Sequence, residues 1–127
     1  MTRDEYAADV CTRLDQAADI PFQPVAIGGW EPQRGKCHEN VDFWVKANPG
    51  SIAVRGWVTG NRLTAHSVVQ GVDGKLLDIT PLCDERERLG MHFVRHVGDE
   101  QVFWAAKELS VFIDCPITAE ELADIQA

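Results

Sequence analysis

Two hydrophobic periods divide this chain of 127 residues. Up to about residue 48 the apolar positions recur every three to four residues, and beyond Pro49 and Gly50 they alternate, so helices are expected first and strands after. Thr2 followed by Glu5 has the form of a capping box. Tyr6, Val10, Leu14 and Ala17 or Ala18 then follow at helical spacing, which predicts a first helix over about residues 3 to 18. Prolines at 21, 24 and 32 and glycines at 28, 29 and 35 break any regular element and make a long loop that delivers the chain to Cys37. From there Val41, Trp44, Val45 and Asn48 share a face with Cys37, while Glu39, Asp42 and Lys46 lie elsewhere. This predicts a second helix that Pro49 and Gly50 end.

Residues 51 to 59 read as a strand, Gly60 and Asn61 as a turn, and 62 to 70 with 75 to 80 as a hairpin around Gly71 and Gly74. Two more strands are expected at about 91 to 97 and 102 to 113, separated by Gly98 and Asp99. Thr118 and Glu121 repeat the capping-box pattern and predict a short terminal helix. The expected layout is helix, loop, helix, then an antiparallel sheet: one α+β domain over residues 1–127, with the Cys37 helix packed on the sheet.

Composition narrows the class of partner. The chain is 45% hydrophobic, enough for one domain with its own core. Its formal charge of -8, from 20 acidic and 12 basic residues, argues against a nucleic-acid or anionic-membrane surface and for a peptide, protein or small-molecule partner. The first ten residues, MTRDEYAADV, have neither the apolar stretch of a signal peptide nor that of a membrane span, so a cytoplasmic location is expected. Cys11, Cys37, Cys83 and Cys115 are widely spread and contain no CxxC pair. In a reducing compartment they are expected to be free thiols.

Cys37 is the residue with a chemical opportunity. A thiol is nucleophilic as the thiolate, and a helix N-terminus and a nearby imidazolium both favour that form. His38, its neighbour, is expected to be a poor partner, because consecutive helical residues point about 100° apart. His66 is the better one. It interrupts an apolar strand, as Asp78 does twelve residues later on the other arm of the hairpin. The two share a face only if the loop has an odd number of residues. A three-residue loop of Val72, Asp73 and Gly74, with Gly74 left-handed, meets that condition and pairs Val68 with Asp78. Asp78 then orients His66, His66 takes the Cys37 proton, and amides at the helix start face an oxyanion, which is apparatus for acyl transfer from an amide or ester.

This order, a Cys opening a helix, a His on a later strand and an acidic residue on the next, resembles the core of the papain-like and transglutaminase-like cysteine enzymes, including the NlpC/P60-type hydrolases. Over roughly residues 33 to 81, the stretch Cys37 to Asn40, Trp57, the stretch His66 to Val69 and the stretch Asp78 to Thr80 are locally similar to the N-terminal glutamine amidohydrolases. The resemblance implies Cys37 as nucleophile, His66 as general base and acid, and Asp78 as orienting residue. It implies hydrolysis of an amide C–N bond, as a deamidase or peptidase, with transfer to an amine open to the same machinery and no cofactor. Trp30, in the loop before the nucleophile, Trp57 and Asn40 are the expected substrate-binding residues.

Two other readings compete. One is a non-catalytic, protein-binding module that keeps this fold, such as a phage or bacterial accessory protein. The other is a small zinc protein built from Cys83, His92, His96 and Cys115, or from Cys37 with His38. If residues 91 to 97 form a strand, His92 and His96 lie about 13 Å apart along it and cannot share an ion. The sign-alternating stretch from residue 84 to 88 reads as a solvated turn.

Overall fold

The computed structural model describes residues 1–115, and the expected terminal helix at Thr118 lies outside them. Within that span the chain is an α+β domain with a curled antiparallel sheet. Helix α1 (Arg3–Thr12) opens on the expected capping box, Thr2 accepting from the Glu5 amide and Glu5 from the Thr2 amide. It is shorter than the pattern predicts. Leu14 falls in a 3-10 turn (Leu14–Gln16) and is exposed, and Ala18 is extended because both its backbone groups pair with Phe93, at 3.0 and 2.8 Å. Helix α2 (Cys37–Ala47) has the predicted limits, with Asn48 as its cap residue.

Strands β1 (Ile52–Val58), β2 (Leu63–Gln70), β3 (Leu76–Leu77), β4 (Phe93–Arg95) and β5 (Phe112–Ile113) form one sheet in the order β3-β2-β1-β4, with β5 pairing the start of β2. The strand expected over 102 to 113 is a correction. Most of it is helix α3 (Glu100–Leu109), started by the Asp99 side chain, which accepts from the Gln101 amide, and buried through Phe103 and Ala106. Only its last residues form β5.

The β2–β3 register is the one that matters for chemistry. Val69 pairs with Leu77 and Gln70 with Leu76, and Gly74 has φ +82° in a turn closed by the Gly71 amide on the Lys75 carbonyl. Continued by one residue, this register sets Val68 opposite Asp78 and places His66 on the same face, as a three-residue loop requires.

The core has two sides. Tyr6, Val10, Trp57, Leu63, Ala65, Val94, Phe103 and Ala106 pack α1 and α3 on one face of the sheet. Val54, Val68 and Phe93, joined by Ile20, Val58 and Leu76, cover the other. Val41 of α2 packs against Val69 and Ile79. Trp57 is wholly buried and donates from Nε1 to the Tyr6 hydroxyl, so its expected place in a substrate cleft is corrected to the core. Gly56 faces His66 across β1 and β2, and a Cβ there would meet the Val94 carbonyl and the Phe93 ring. Gly56→Ala is accordingly expected to cost about 1–3 kcal/mol through overpacking, read as a lower urea midpoint at unchanged slope.

The thiol expectation is also corrected. Cys11 and Cys115, 104 residues apart, form a disulfide that ties α1 to the chain beyond β5, leaving Cys37 and Cys83 as free thiols. Four free thiols are what a reducing compartment implies, and the disulfide departs from that expectation. Among the described residues no helix is long and apolar enough to cross a membrane.

Candidate active site

The site assembles where β2 loses its neighbour. Strand β3 ends at Leu77, opposite Val69, and β5 pairs only the first residues of β2, so the edge at His66 and Ser67 is free of strand partners. Beyond β3 the chain is held instead by the long loop. The Asp78 amide donates to the Pro21 carbonyl and the Asp78 carbonyl accepts from the Gln23 amide, each at 2.9 Å. The proline- and glycine-rich segment thus fixes the carboxylate as well as delivering the chain to α2.

The N-terminus of α2 meets this edge. The imidazoles of both His66 and His38 act on the Cys37 thiol, whose residue is only partly exposed. Consecutive residues of β2 point to opposite faces, and His38 in turn bonds Ser67, so the thiol stands at the strand edge between the two faces. His66 is buried and its Nε2 lies 2.9 Å from Asp78 Oδ2, which leaves Nδ1 for the sulfur. No side chain caps α2, so the first-turn amides around Cys37 have no intrahelical acceptor and no capping oxygen.

Electrostatics follow from these contacts. Burial by itself pushes the Cys37 thiol up. Hydrogen bonds from His38 and His66, together with imidazole charge, outweigh it and bring the thiol down to about 6. Burial likewise disfavours a charged His66, yet its bonds to Asp78 and Cys37 and their negative charge raise it to about 9. Between those values the pair is a thiolate and an imidazolium. Asp78 is held below the ordinary carboxylate range: against its burial stand His66, the Thr80 amide and Arg88.

Arg88 corrects the reading of residues 84 to 88 as solvated throughout. In the 3-10 segment Glu85–Gly90 it turns inward, donating from Nη1 to Asp78 Oδ2 at 2.7 Å and from Nη2 to the Thr80 carbonyl at 3.0 Å. Asp78 therefore serves two cations. Arg55, which is buried, is a second inward-turned arginine without a mark in the sequence pattern. It donates to Ser67 Oγ at 2.9 Å and pairs with Asp42 and Glu100 at 2.6 and 2.8 Å.

His38 is a further correction. The 100° separation describes directions from the helix axis and does not stop an imidazole from acting on the adjacent thiol. Its Nδ1 is fixed at 2.6 Å from Ser67 Oγ, and the Trp104 and Phe103 rings stand edge-on to it at 5.1 and 6.0 Å.

The expected substrate-binding residues divide. Asn40 is buried with both amide ends used: Oδ1 accepts from the Gln33 amide, and Nδ2 donates to the Gln33 carbonyl and to Thr80 Oγ1. It is a clamp joining the loop, α2 and the segment after Asp78, which corrects its assignment to substrate. Trp30 is half-buried, stacked on the exposed Phe43 ring of α2 at 4.2 Å. An open groove of about 780 Å³, lined by residues 31 to 35 with Pro81 and Cys83, ends two residues before Cys37.

Three of the side chains named for a zinc site have other partners. Cys115 is in the disulfide, both ring nitrogens of His96 are engaged by Tyr6 and the Asp99 carbonyl, and His92 pairs with Asp19. Among the described residues no three His, Cys, Asp or Glu side chains are placed to hold an ion. Compared with known proteins, the chain matches no family model, no curated protein and no solved structure.

Proposed function

We propose that the protein is a cysteine-dependent amidohydrolase of papain-like or transglutaminase-like type, acting on an amide C–N bond of a peptide, protein or small amide. The observation that carries this reading is a buried His66 that Asp78 orients from 2.9 Å, acting on a Cys37 thiol at an uncapped helix start. The Cys37 thiolate attacks the carbonyl carbon, a C–S bond forms, and the π electrons move to oxygen, where the free amides at the start of α2 face the charge. As the C–O double bond reforms, the C–N bond breaks and the His66 imidazolium gives its proton to the departing nitrogen. His66, now neutral, takes a proton from water, whose oxygen attacks the thioester. The acid leaves and the thiolate returns. An amine in place of water makes the same sequence a transfer. The groove beside residues 31 to 35 is the approach to Cys37, of a volume ordinary for small-ligand sites.

Alkylation tests the nucleophile without knowledge of the substrate. With iodoacetamide at pH 6, Cys37 is expected to be modified roughly tenfold or more faster than the exposed Cys83, as mapped by mass spectrometry. His66→Ala should remove much of that preference. The rate at Cys37 should rise with pH through a midpoint near 6, since alkylation needs only the thiolate. Turnover of an amide should have that limb and a falling one near 9, where the His66 proton needed by the leaving nitrogen is lost. Equal or absent labelling of Cys37 sinks the enzyme reading and leaves a binding module.

A further inference from the structure

Two imidazoles, His66 and the adjacent His38, act on the Cys37 thiol, and the mechanism above uses one. His38 is held by an arrangement that fixes where its proton sits. Arg55 is buried, has no acceptor atoms, and donates from Nη1 to Ser67 Oγ at 2.9 Å, occupying one of the hydroxyl's lone pairs. Ser67 is fully buried, and among the hydrogen bonds of the described residues its hydroxyl proton has one acceptor, His38 Nδ1 at 2.6 Å. A buried hydroxyl left without an acceptor is costly, so the proton goes to Nδ1 and the ring carries its own proton on Nε2. Asp42 and Glu100, on the far side of the Arg55 guanidinium, anchor it, and the Trp104 ring lies 4.8 Å from its carbon and edge-on to His38. The fold thus spends three charged side chains and a serine on the direction of one ring.

We propose that His38 is the second imidazole of the site, a residue that Ser67 and Arg55 position so that its Nε2–H donates to the Cys37 sulfur and holds the thiolate independently of His66. The proposal rests on the reading of Cys37 as the nucleophile. It separates two duties that a single histidine usually combines. His66 moves protons between thiol, leaving nitrogen and water, while His38 gives a fixed N–H that does not transfer. The thiolate then keeps one donor during the interval when His66 is neutral and awaits water.

The pH dependence of Cys37 alkylation in the folded protein distinguishes this from a packing role. His38→Ala is expected to raise the midpoint by about one pH unit or more, the scale of one hydrogen bond to a charged group. His38→Gln, whose side-chain amide can place an N–H near the former Nε2, should bring it most of the way back. Ser67→Ala, which frees the ring to turn, should raise it while leaving His38 in place. In the His38→Ala, His66→Ala double variant the two rises should add, taking the midpoint toward that of an ordinary thiol near 8.5. A His38→Ala midpoint equal to that of the parent protein, with circular dichroism unchanged, overturns the proposal and leaves the nucleophile reading intact. If His38→Ala does not fold, an unshifted Ser67→Ala midpoint overturns it in the same way. Absence of selective labelling in the parent protein is the separate failure of the nucleophile itself, and it overturns both.

Discussion

Asp78→Ala should both destabilise the protein, by about 3–5 kcal/mol, and take away the selective reactivity of Cys37. The size of the first effect follows from what the carboxylate is doing. It is almost wholly buried and is shared between the largely buried Arg88, 2.7 Å away, and His66, 2.9 Å away. Removing it leaves a guanidinium that cannot lose its charge, with the exposed Glu85 carboxylate at 2.8 Å and the Thr80 carbonyl as its remaining partners, so the lower end of that range is expected. His66 can lose its charge and does so: burial opposes the imidazolium, and without Asp78 the largest influence raising it is gone. Cys37 then sits beside a neutral ring of unfixed orientation, and its alkylation midpoint should move upward from about 6. Asp78→Asn is the gentler version. It keeps the shape, and its one oxygen can still serve His66 and Arg88, which share Oδ2, while its NH2 meets the Thr80 amide; losing the negative charge should lower reactivity with less loss of stability than the alanine. Urea unfolding and the pH profile of labelling give the two readings. An Asp78→Ala protein that unfolds at the parent urea concentration, or labels with the parent profile, contradicts the shared role.

The second large effect is expected from the disulfide. Replacing Cys11 and Cys115 by alanine together should lower stability by about 5 kcal/mol, the chain-entropy scale for a closed loop of about a hundred residues. The bond clips the first helix to the chain just past the last described strand, and both sulfurs pack against the cluster of Tyr6, Trp57 and Phe103. Calorimetric melting of the parent and the double variant, in the absence of reductant, measures the difference. Parent protein melted with excess reductant should approach the variant. Equal melting temperatures for parent and variant would show that the clip contributes nothing.

What could be read from the sequence was whatever local chemistry enforces. Helix α2 was legible because a broken loop precedes it, its apolar face has a 3.6-residue period, and Pro49 and Gly50 stop it. The relation of His66 to Asp78 was legible because strand parity is strict and Gly74 selects the loop that satisfies it. Helix α3 was not. Val102, Phe103 and Trp104 are strand-forming residues side by side, and their β propensity hid the start signal at Asp99 and the spacing of Phe103 and Ala106. The arginines were hidden for another reason. Arg55 meets Glu100 across 45 residues and Arg88 meets Asp78 from within a run of surface-like charges, and no local pattern encodes such partners. The disulfide, spanning 104 residues, is equally tertiary. Trp57 misled because a tryptophan near a site looks the same in sequence whether it faces ligand or core.

The double allegiance of Asp78 has a consequence for how such a site is adjusted. Arg88 is a permanent cation, and whatever share of the carboxylate's charge it engages is withheld from His66. On the proposed mechanism, the alkaline limit of activity is set in part by a residue that is neither the nucleophile nor the base and that sits in a short 3-10 segment with an exposed neighbour, Leu89. On that mechanism, small changes in how the segment seats its arginine would act as a rheostat on the His66 proton, so the operating pH could drift while Cys37, His66 and Asp78 stay where they are.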